Sequence, residues 1–287
     1  MAYNPKTVAI YSVGLLGGSI GAALRQSGFG GKIIGLSSES GLKVALGRGL
    51  IDEGYPYSGL PAVIRQTDLL ILCSPILAIV GAIRELGGME LPRGLVVTDI
   101  GSTKRVIVGA AKEYLPPHVR FVGGHPMAGS EKSGPGASDP NLFRDAVYAL
   151  TPTNSGDTHI VNTLADFLRA FLGCRTVVLD AETHDAVVAA VSHLPHILAS
   201  ALVQCASERG KLIPETLSLA AGGFRDMTRI AASKYDIWHD IFSTNKEAIL
   251  PLIDSYIKIL NDMKLLLAND GLRESFEAAR KVRKSMG

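Results

Sequence analysis

The sequence has little net charge, little cysteine and no long unbroken apolar run, and each shortage narrows what the chain can be. Lys and Arg number 29 against 27 Asp and Glu, a net charge of +2 over 287 residues. No Lys/Arg run is long, so neither nucleic acid nor an anionic membrane surface is an expected partner. The three cysteines, Cys73, Cys174 and Cys205, are odd in number, widely spaced and set among apolar neighbours. They read as buried free thiols, and no disulfide or metal site is expected. No run of about 18 consecutive apolar residues stands out, which argues against a membrane span. The first residues lack a basic segment and their apolar run is broken by glycines, which argues against a secretory signal. The cytoplasm is the expected compartment. Hydrophobic residues make up 47% and charged residues 20%, the balance of a well-cored chain of one large or two ordinary domains.

The first half alternates strand and helix. Residues 7–12 (TVAIYS) form an apolar run that ends at a glycine turn, Gly14-Leu15-Leu16-Gly17-Gly18. Residues 19–26 read as a helix and residues 32–36 (KIIGL) as a second strand. Strand, glycine turn, helix and strand within about 30 residues form the first unit of a Rossmann dinucleotide-binding sheet. Gly14 lets the backbone approach a pyrophosphate, Gly17 allows close helix–strand packing, and the helix N-terminus beyond favours phosphate charge. Ser12 stands where G-x-G-x-x-G has its first glycine. Cofactor choice is normally set at the end of the second strand, where an acid would bind the ribose hydroxyls. Ser37 and Ser38 stand there instead, followed by Glu39 and Ser40. Glu39 could take the ribose and Lys43 could meet a 2′-phosphate, so both NAD and NADP are open.

The alternation continues through strands at 68–73, 95–100 and 120–122, with a helix at 76–86. Ligands of open α/β sheets lie beyond the carboxyl ends of the strands. Ser74, Ser102 and His125 follow such ends and so share one rim. Ser102 could equally be a helix N-cap. Further segments at 147–151, 160–171 and 175–179 add strand, helix, strand. The first domain is therefore drawn over residues 1–180.

Residues 124–134 (GHPMAGSEKSG) show neither helical nor strand period. They read as a rigid glycine-spaced loop that presents polar side chains, with His125 as its chemical centre. The plain alternative is a tight surface turn with an incidental histidine. Ser130, Glu131 and Lys132 share the loop.

From residue 181 the pattern turns helical, and the second domain is drawn over residues 181–287. Residues 183–209 read as one helix kinked at Pro195. His193 and His196, three apart, share a face, and helical geometry turns His184 away from it. Arg225, Asp226 and Arg229 follow in a small glycine-led segment suited to carboxylate recognition, or to a salt-bridged helix start. Trp238 is the only tryptophan. Residues 244–269 read as a long helix broken or kinked at Pro251, and residues 273–284 as a solvated helix. Long apolar helices in so small a domain point to burial against a second copy, a homodimer.

Five blocks then coincide in order: GLLGGS, DIGSTK, GHPMAGSEKSG, SHLPH (192–196) and FRDMTR (224–229). Together they resemble the prephenate/arogenate dehydrogenase family of tyrosine biosynthesis, over nearly the whole chain. The resemblance implies an N-terminal Rossmann domain, an all-helical C-terminal dimerisation domain, and a site in the cleft between them. It implies His125 as the catalytic histidine and Ser102 as the serine that hydrogen-bonds it. Arg229 would hold a substrate carboxylate, with His193, His196, Asp226, Ser130, Glu131 and Trp238 also lining the site. Ser12, Gly14, Leu15, Leu16, Gly17, Ser37, Ser38 and Ser74 would bind NAD or NADP. The substrate would be prephenate or, with an amino group in place of the keto group, arogenate. Some members carry a chorismate mutase or a regulatory ACT domain, for which this chain is expected to have no room. Two other readings stand beside this one. A reductase of another small keto acid would rely on a lysine of the helical domain, and neither Lys211 nor Lys234 is framed by a site-like motif. A non-catalytic NAD(P)-sensing module would not need His125 and Ser102 at one rim.

Overall fold

The computed structural model describes residues 5–130, 132–154 and 156–286. The chain opens with β1 (Thr7–Tyr11), α1 (Leu15–Gln26), β2 (Lys32–Leu36), α2 (Glu39–Gly47) and β3 (Glu53–Tyr55). It continues with α3 (Leu60–Ile64), β4 (Leu69–Leu72), α4 (Ile76–Gly87), β5 (Val96–Asp99), α5 (Arg105–Tyr114) and β6 (Arg120–Pro126). Then come β7 (Val147–Pro152), α6 (Thr158–Leu172) and β8 (Arg175–Val178). The remainder is helical: α7 (Ala181–Val188), α8 (Leu194–Gly210), α9 (Gly222–Thr228), α10 (Tyr235–Ala268) and α11 (Arg273–Ser285).

The strands form one eight-stranded sheet in the order β3-β2-β1-β4-β5-β6-β7-β8. Pairing is parallel throughout except between β6 and β7. Strand order reverses between β1 and β4, the crevice where doubly wound sheets bind dinucleotides. The strand period of two sorts the core. Val8 and Ile10 of β1 join Ile20, Leu24, Phe143 and Phe167 on one face. Ala9 joins Ile34, Ile79, Ile83, Val97 and Ile107 on the other. All four residues of β4 are buried, as a central parallel strand covered on both faces requires.

The chain divides into two compact units. One runs through Val188 and regains Ser233–Thr244; the other comprises Ala189–Ala232 and the residues from Asn245 on. The first is the Rossmann unit. In the second, α8 packs against α9 and the short turn Arg229–Ala232.

Several local expectations are corrected. The first helix begins at Leu15, not at residue 19, so Gly17 and Gly18 lie inside its first turns. His125 does not lie in a loop. It sits on β6, paired with Ala149 of β7, and the glycines before it hide the strand period. The helix expected over 183–209 is two helices joined by a π turn, Ala189–His193, with Pro195 in the first turn of α8. A π turn re-routes the hydrogen bond that the proline lacks. The long helix α10 breaks at Asn245 (φ −128°, ψ 15°), not at Pro251, which sits inside the helix. Ser102 does not cap α5, whose N-cap is Lys104. Cys174 is buried and Cys73 half-buried, but Cys205 is exposed on α8.

The helical run Ala181–Gly210 is long and apolar enough, by length and composition, to cross a membrane. It holds no unbroken apolar run of that length, because Ser192, His193, His196 and Gln204 interrupt it. Those polar interruptions matter in the fold: His184, Asp185, His193 and His196 on this run are all buried. Buried polar groups of this kind need partners inside the protein, and those of His184, Asp185 and His193 are described below.

Candidate active site

A cavity of about 510 Å³ opens at the carboxyl ends of β1, β4 and β5. Gly14, Leu15 and Leu16 form one wall, Ser74 and Ser102 another, and Ser130 a third. Asp236, Ile237 and Ile241 of α10 also line it. Six of the residues expected at the site thus meet in one place within the Rossmann unit.

The glycine turn has the geometry for a phosphate. A side chain at Gly14 would meet nothing within 4 Å, so the turn is open on that side. Gly14 caps α1 without any side-chain hydrogen bond, which leaves the N–H groups of the first turn directed outward. Gly17 is needed for a different reason: a Cβ there would stand 2.5 Å from the Ser12 carbonyl oxygen and 3.2 Å from the Cys73 Cβ. Ser12 holds a φ of 74°, the left-handed region that glycine occupies in the usual fingerprint. The serine therefore keeps the backbone of the glycine it replaces. Ser74 lines this cavity, and its Oγ is buried with no hydrogen-bond partner among the described residues. A buried hydroxyl with no partner costs stability unless a ligand supplies one. An open turn, uncapped N–H groups and an unpaired hydroxyl fit a dinucleotide.

Ser37 and Ser38 stand apart from this cavity, at the tip of β2. Ser37 is buried and its N–H donates to Tyr55 O at 3.1 Å. Ser38 is the N-cap of α2 and accepts from the Gly41 N–H at 3.3 Å. Neither adds charge to that corner.

His125 stands at the carboxyl end of β6, a strand paired with β5 on one side and β7 on the other. It is buried, and its Nδ1 is 2.9 Å from His184 Nε2. His184 Nδ1 in turn lies 2.8 Å from Asp185 Oδ1. The peptide before His125 is clamped from below. Asp99 Oδ1 accepts from the Gly124 N–H at 3.0 Å, and Lys104 Nζ donates to Gly124 O at 2.7 Å. Asp99 and Lys104 are themselves ion-paired, both wholly buried. Burial pushes the Lys104 pKa down, and the Asp99 charge opposes that fall. Gly124 admits this packing because a Cβ would meet the Asp99 carbonyl oxygen and stand 2.9 Å from the Tyr148 ring.

The expected residues of the loop beyond are partly described. Ser130 Oγ accepts from the Lys132 N–H at 3.0 Å. Glu131 lies outside the described residues. Trp238 stacks at 5.4 Å on Phe242 and packs, half-buried, on the Rossmann core.

The helical unit carries the remaining four. His193 and His196 are both buried. His193 Nδ1 is 3.2 Å from Asn245 Nδ2, at the break in α10. Burial lowers the His196 pKa, which favours its neutral form. Asp226 on α9 and Arg229 just after it are exposed, and among the described residues no ion pair joins them. The salt-bridged helix start is therefore not formed.

Lys104, Asp99 and Asp185 escaped the sequence reading. The signal for two of them was the block DIGSTK, where an acid and a lysine flank the rim serine. Asp185 gave no signal beyond standing next to a histidine.

Comparison with known proteins bears on the family and the fold. The family profile described as prephenate dehydrogenase, nucleotide-binding domain, matches residues 20–178. The profile described as prephenate dehydrogenase, dimerization domain, matches residues 180–280. The prephenate dehydrogenase of Bacillus subtilis (strain 168) is 35% identical over 271 residues, 94% of this chain and 72% of that protein. That of Lactococcus lactis is 36% identical over 285 residues, 98% of this chain and 77% of the other. Among solved structures, the prephenate dehydrogenase of A. aeolicus in complex with hydroxyphenyl propionate and NAD+ superposes with a TM-score of 0.86 at 34% identity. That match covers 98% of this chain and 97% of the other.

Proposed function

Since the chain belongs to the prephenate dehydrogenase family, we propose that it oxidatively decarboxylates prephenate to 4-hydroxyphenylpyruvate, with hydride transfer to NAD or NADP. The observation that carries this reading is a buried, hydrogen-bonded histidine at the cofactor-binding edge of a Rossmann sheet. The bound nicotinamide supplies the redox chemistry by accepting the hydride from the ring carbon that bears the hydroxyl. His125 takes the proton of that hydroxyl as the carbon–oxygen double bond forms. The ring carboxylate then leaves as carbon dioxide, its bonding electrons aromatise the ring, and His125 returns the proton to the phenolate oxygen. The neutral imidazole takes the first proton and the imidazolium so formed returns it, and such catalysis is typically worth ~10²–10⁴-fold.

The remaining roles follow from position and chemistry. The N–H groups around Gly14, Leu15 and Leu16 hold the pyrophosphate, with Ser12 and Gly17 shaping the turn, and Ser74 Oγ gives the cofactor its unpaired hydroxyl. Ser37 and Ser38 face the adenosine ribose; being uncharged, they neither repel nor pair a 2′-phosphate, which leaves NAD and NADP both acceptable. Ser102, on the cavity wall, works beside His125 at the reacting hydroxyl. Arg229 takes a substrate carboxylate with its planar fork. His193, His196, Asp226, Ser130, Glu131 and Trp238 complete the substrate contacts.

We infer a cytoplasmic homodimer. The helical unit leaves Leu212, Leu219, Leu250, Leu265, Leu267 and Phe276 exposed, apolar surface of the kind that a second copy would cover.

The test is a four-way assay of prephenate or arogenate, each with NAD+ or NADP+, followed at the reduced-cofactor absorbance band. Turnover of prephenate is expected. Turnover of arogenate alone would transfer the reading to the amino substrate, and none with any pair would overturn it.

A further inference from the structure

Two buried groups behind His125 have no part in the chemistry above. His184 and Asp185, at the start of the helical sequence domain, are each only 1% exposed. We propose that they are positioning residues: the buried chain Asp185–His184–His125 fixes His125 as its Nδ1–H tautomer and so makes Nε2 the basic nitrogen. This rests on the reading of His125 as the proton acceptor.

The direction of each hydrogen bond follows from the one before it. Asp185 receives two backbone N–H groups, Lys104 N at Oδ1 (2.7 Å) and Arg105 N at Oδ2 (3.0 Å). Arg105 Nε lies 3.6 Å from the same carboxylate. Burial alone would raise the Asp185 pKa, but the bonds from His184 and these two N–H groups outweigh it and hold the carboxyl below its ordinary value. The group is therefore an anion, and an anionic carboxylate only accepts. The proton in the 2.8 Å contact must sit on His184 Nδ1. A neutral His184 then has only a lone pair at Nε2. The proton in the 2.9 Å contact must come from His125 Nδ1. A neutral His125 protonated at Nδ1 carries its lone pair at Nε2.

The same chain serves the protonated state. When His125 accepts the substrate proton, its imidazolium still donates Nδ1–H to His184, and the positive charge is polarised toward Asp185 through a low-dielectric interior. Other titratable groups around this chain are the Asp99–Lys104 pair under Gly124, Arg105, Tyr148, whose hydroxyl donates to Asp99 O, and Cys73. The Asp99 and Lys104 charges compensate each other; Asp185, which Arg105 approaches at Oδ2, is the anion in direct hydrogen-bond contact with His184 through Oδ1.

An Asn at 185 would have to give its oxygen to one backbone N–H and set its NH₂ against the other, or turn the NH₂ toward His184. The second arrangement reverses both tautomers and puts the proton on His125 Nε2. A Gln at 184 keeps an acceptor for His125 but severs the link to Asp185.

The experiment has one arm that needs no turnover. In ¹⁵N-histidine-labelled protein near neutral pH, long-range ¹H–¹⁵N correlation spectra should show His125 and His184 both as Nδ1–H tautomers, assigned by His125→Asn and His184→Gln. An Nε2–H pattern for His125 overturns the proposal whatever the enzyme turns over. In the assay arm, Asp185→Asn should lose about 10²–10⁴-fold in kcat for prephenate with little change in cofactor KM. His184→Gln should lose less and move the acid limb of kcat/KM to lower pH, because the imidazolium loses its anion. An unshifted acid limb in His184→Gln, or a loss carried by KM alone, overturns the proposal. If Asp185→Asn does not fold, the spectra and the His184→Gln profile decide. Wild-type turnover of prephenate with an Nε2–H His125 would leave the functional reading standing and remove this one.

Discussion

Lys104 Nζ donates to the carbonyl oxygen of Gly124 at 2.7 Å, while the same ammonium pairs with Asp99, whose other oxygen holds the Gly124 N–H. One buried ion pair thus grips both ends of the residue that precedes His125. Lys104→Met would leave Asp99 as an uncompensated buried charge. It should cost about 3–5 kcal/mol of stability in urea unfolding. The double variant Lys104→Met with Asp99→Asn should recover part of that, since the charge goes with its partner.

Gly124→Ala should cost both stability and rate. The new methyl group would press on the Asp99 carbonyl and stand 3.1 Å from Thr98 Oγ1. Overpacking of this kind costs about 1–3 kcal/mol. The same displacement moves His125, so kcat should fall more than substrate KM rises. Thermal unfolding and steady-state kinetics on one preparation check both.

Ser74→Ala separates cofactor binding from folding. The hydroxyl has no partner among the described residues, so its loss should leave stability unchanged or slightly raised. Cofactor KM should rise by about 5–10-fold, the worth of one hydrogen bond of ~1 kcal/mol or slightly more. A drop in stability with cofactor KM unmoved would count against a ligand at that hydroxyl.

Asp185 gives the folded protein an acid-sensitive component. Its pKa is lowered on folding from the ordinary 3.8. A depressed carboxylate contributes stability that is fully present above its unfolded pKa and is lost as pH falls through the folded value. Wild type should therefore lose stability from about pH 4 downward. Asp185→Asn should be less stable than wild type at neutral pH, and the gap should narrow over that acid range. Chemical denaturation across the range measures it.

The Rossmann sheet was legible because its signals are local: a glycine turn after one apolar run, and an all-apolar run for a strand covered on both faces. The rim position of Ser74 and Ser102 followed from chain order alone. His125 stands out in the sequence as a histidine among glycines, yet its strand is hidden, since Gly123 and Gly124 carry no side chain to show a period of two. Proline is the visible helix breaker and draws attention to Pro251; the break in α10 at Asn245 comes with a buried contact to His193, which no local pattern encodes. Lys104 and Asp185 were illegible for a related reason. Charged residues read as solvated until a fold brings partners from 81 positions away, as it does for the Lys104 N–H and Asp185.

The role of His125 is tested most directly by the rate of reduced-cofactor formation from saturating prephenate, compared between wild type and His125→Asn. The variant should fold, bind cofactor with unchanged affinity by fluorescence titration, and lose about 10²–10⁴-fold in kcat. A folded variant that binds cofactor and keeps kcat within about threefold of wild type would contradict the assignment of His125 as the base, since a general base is worth far more than that.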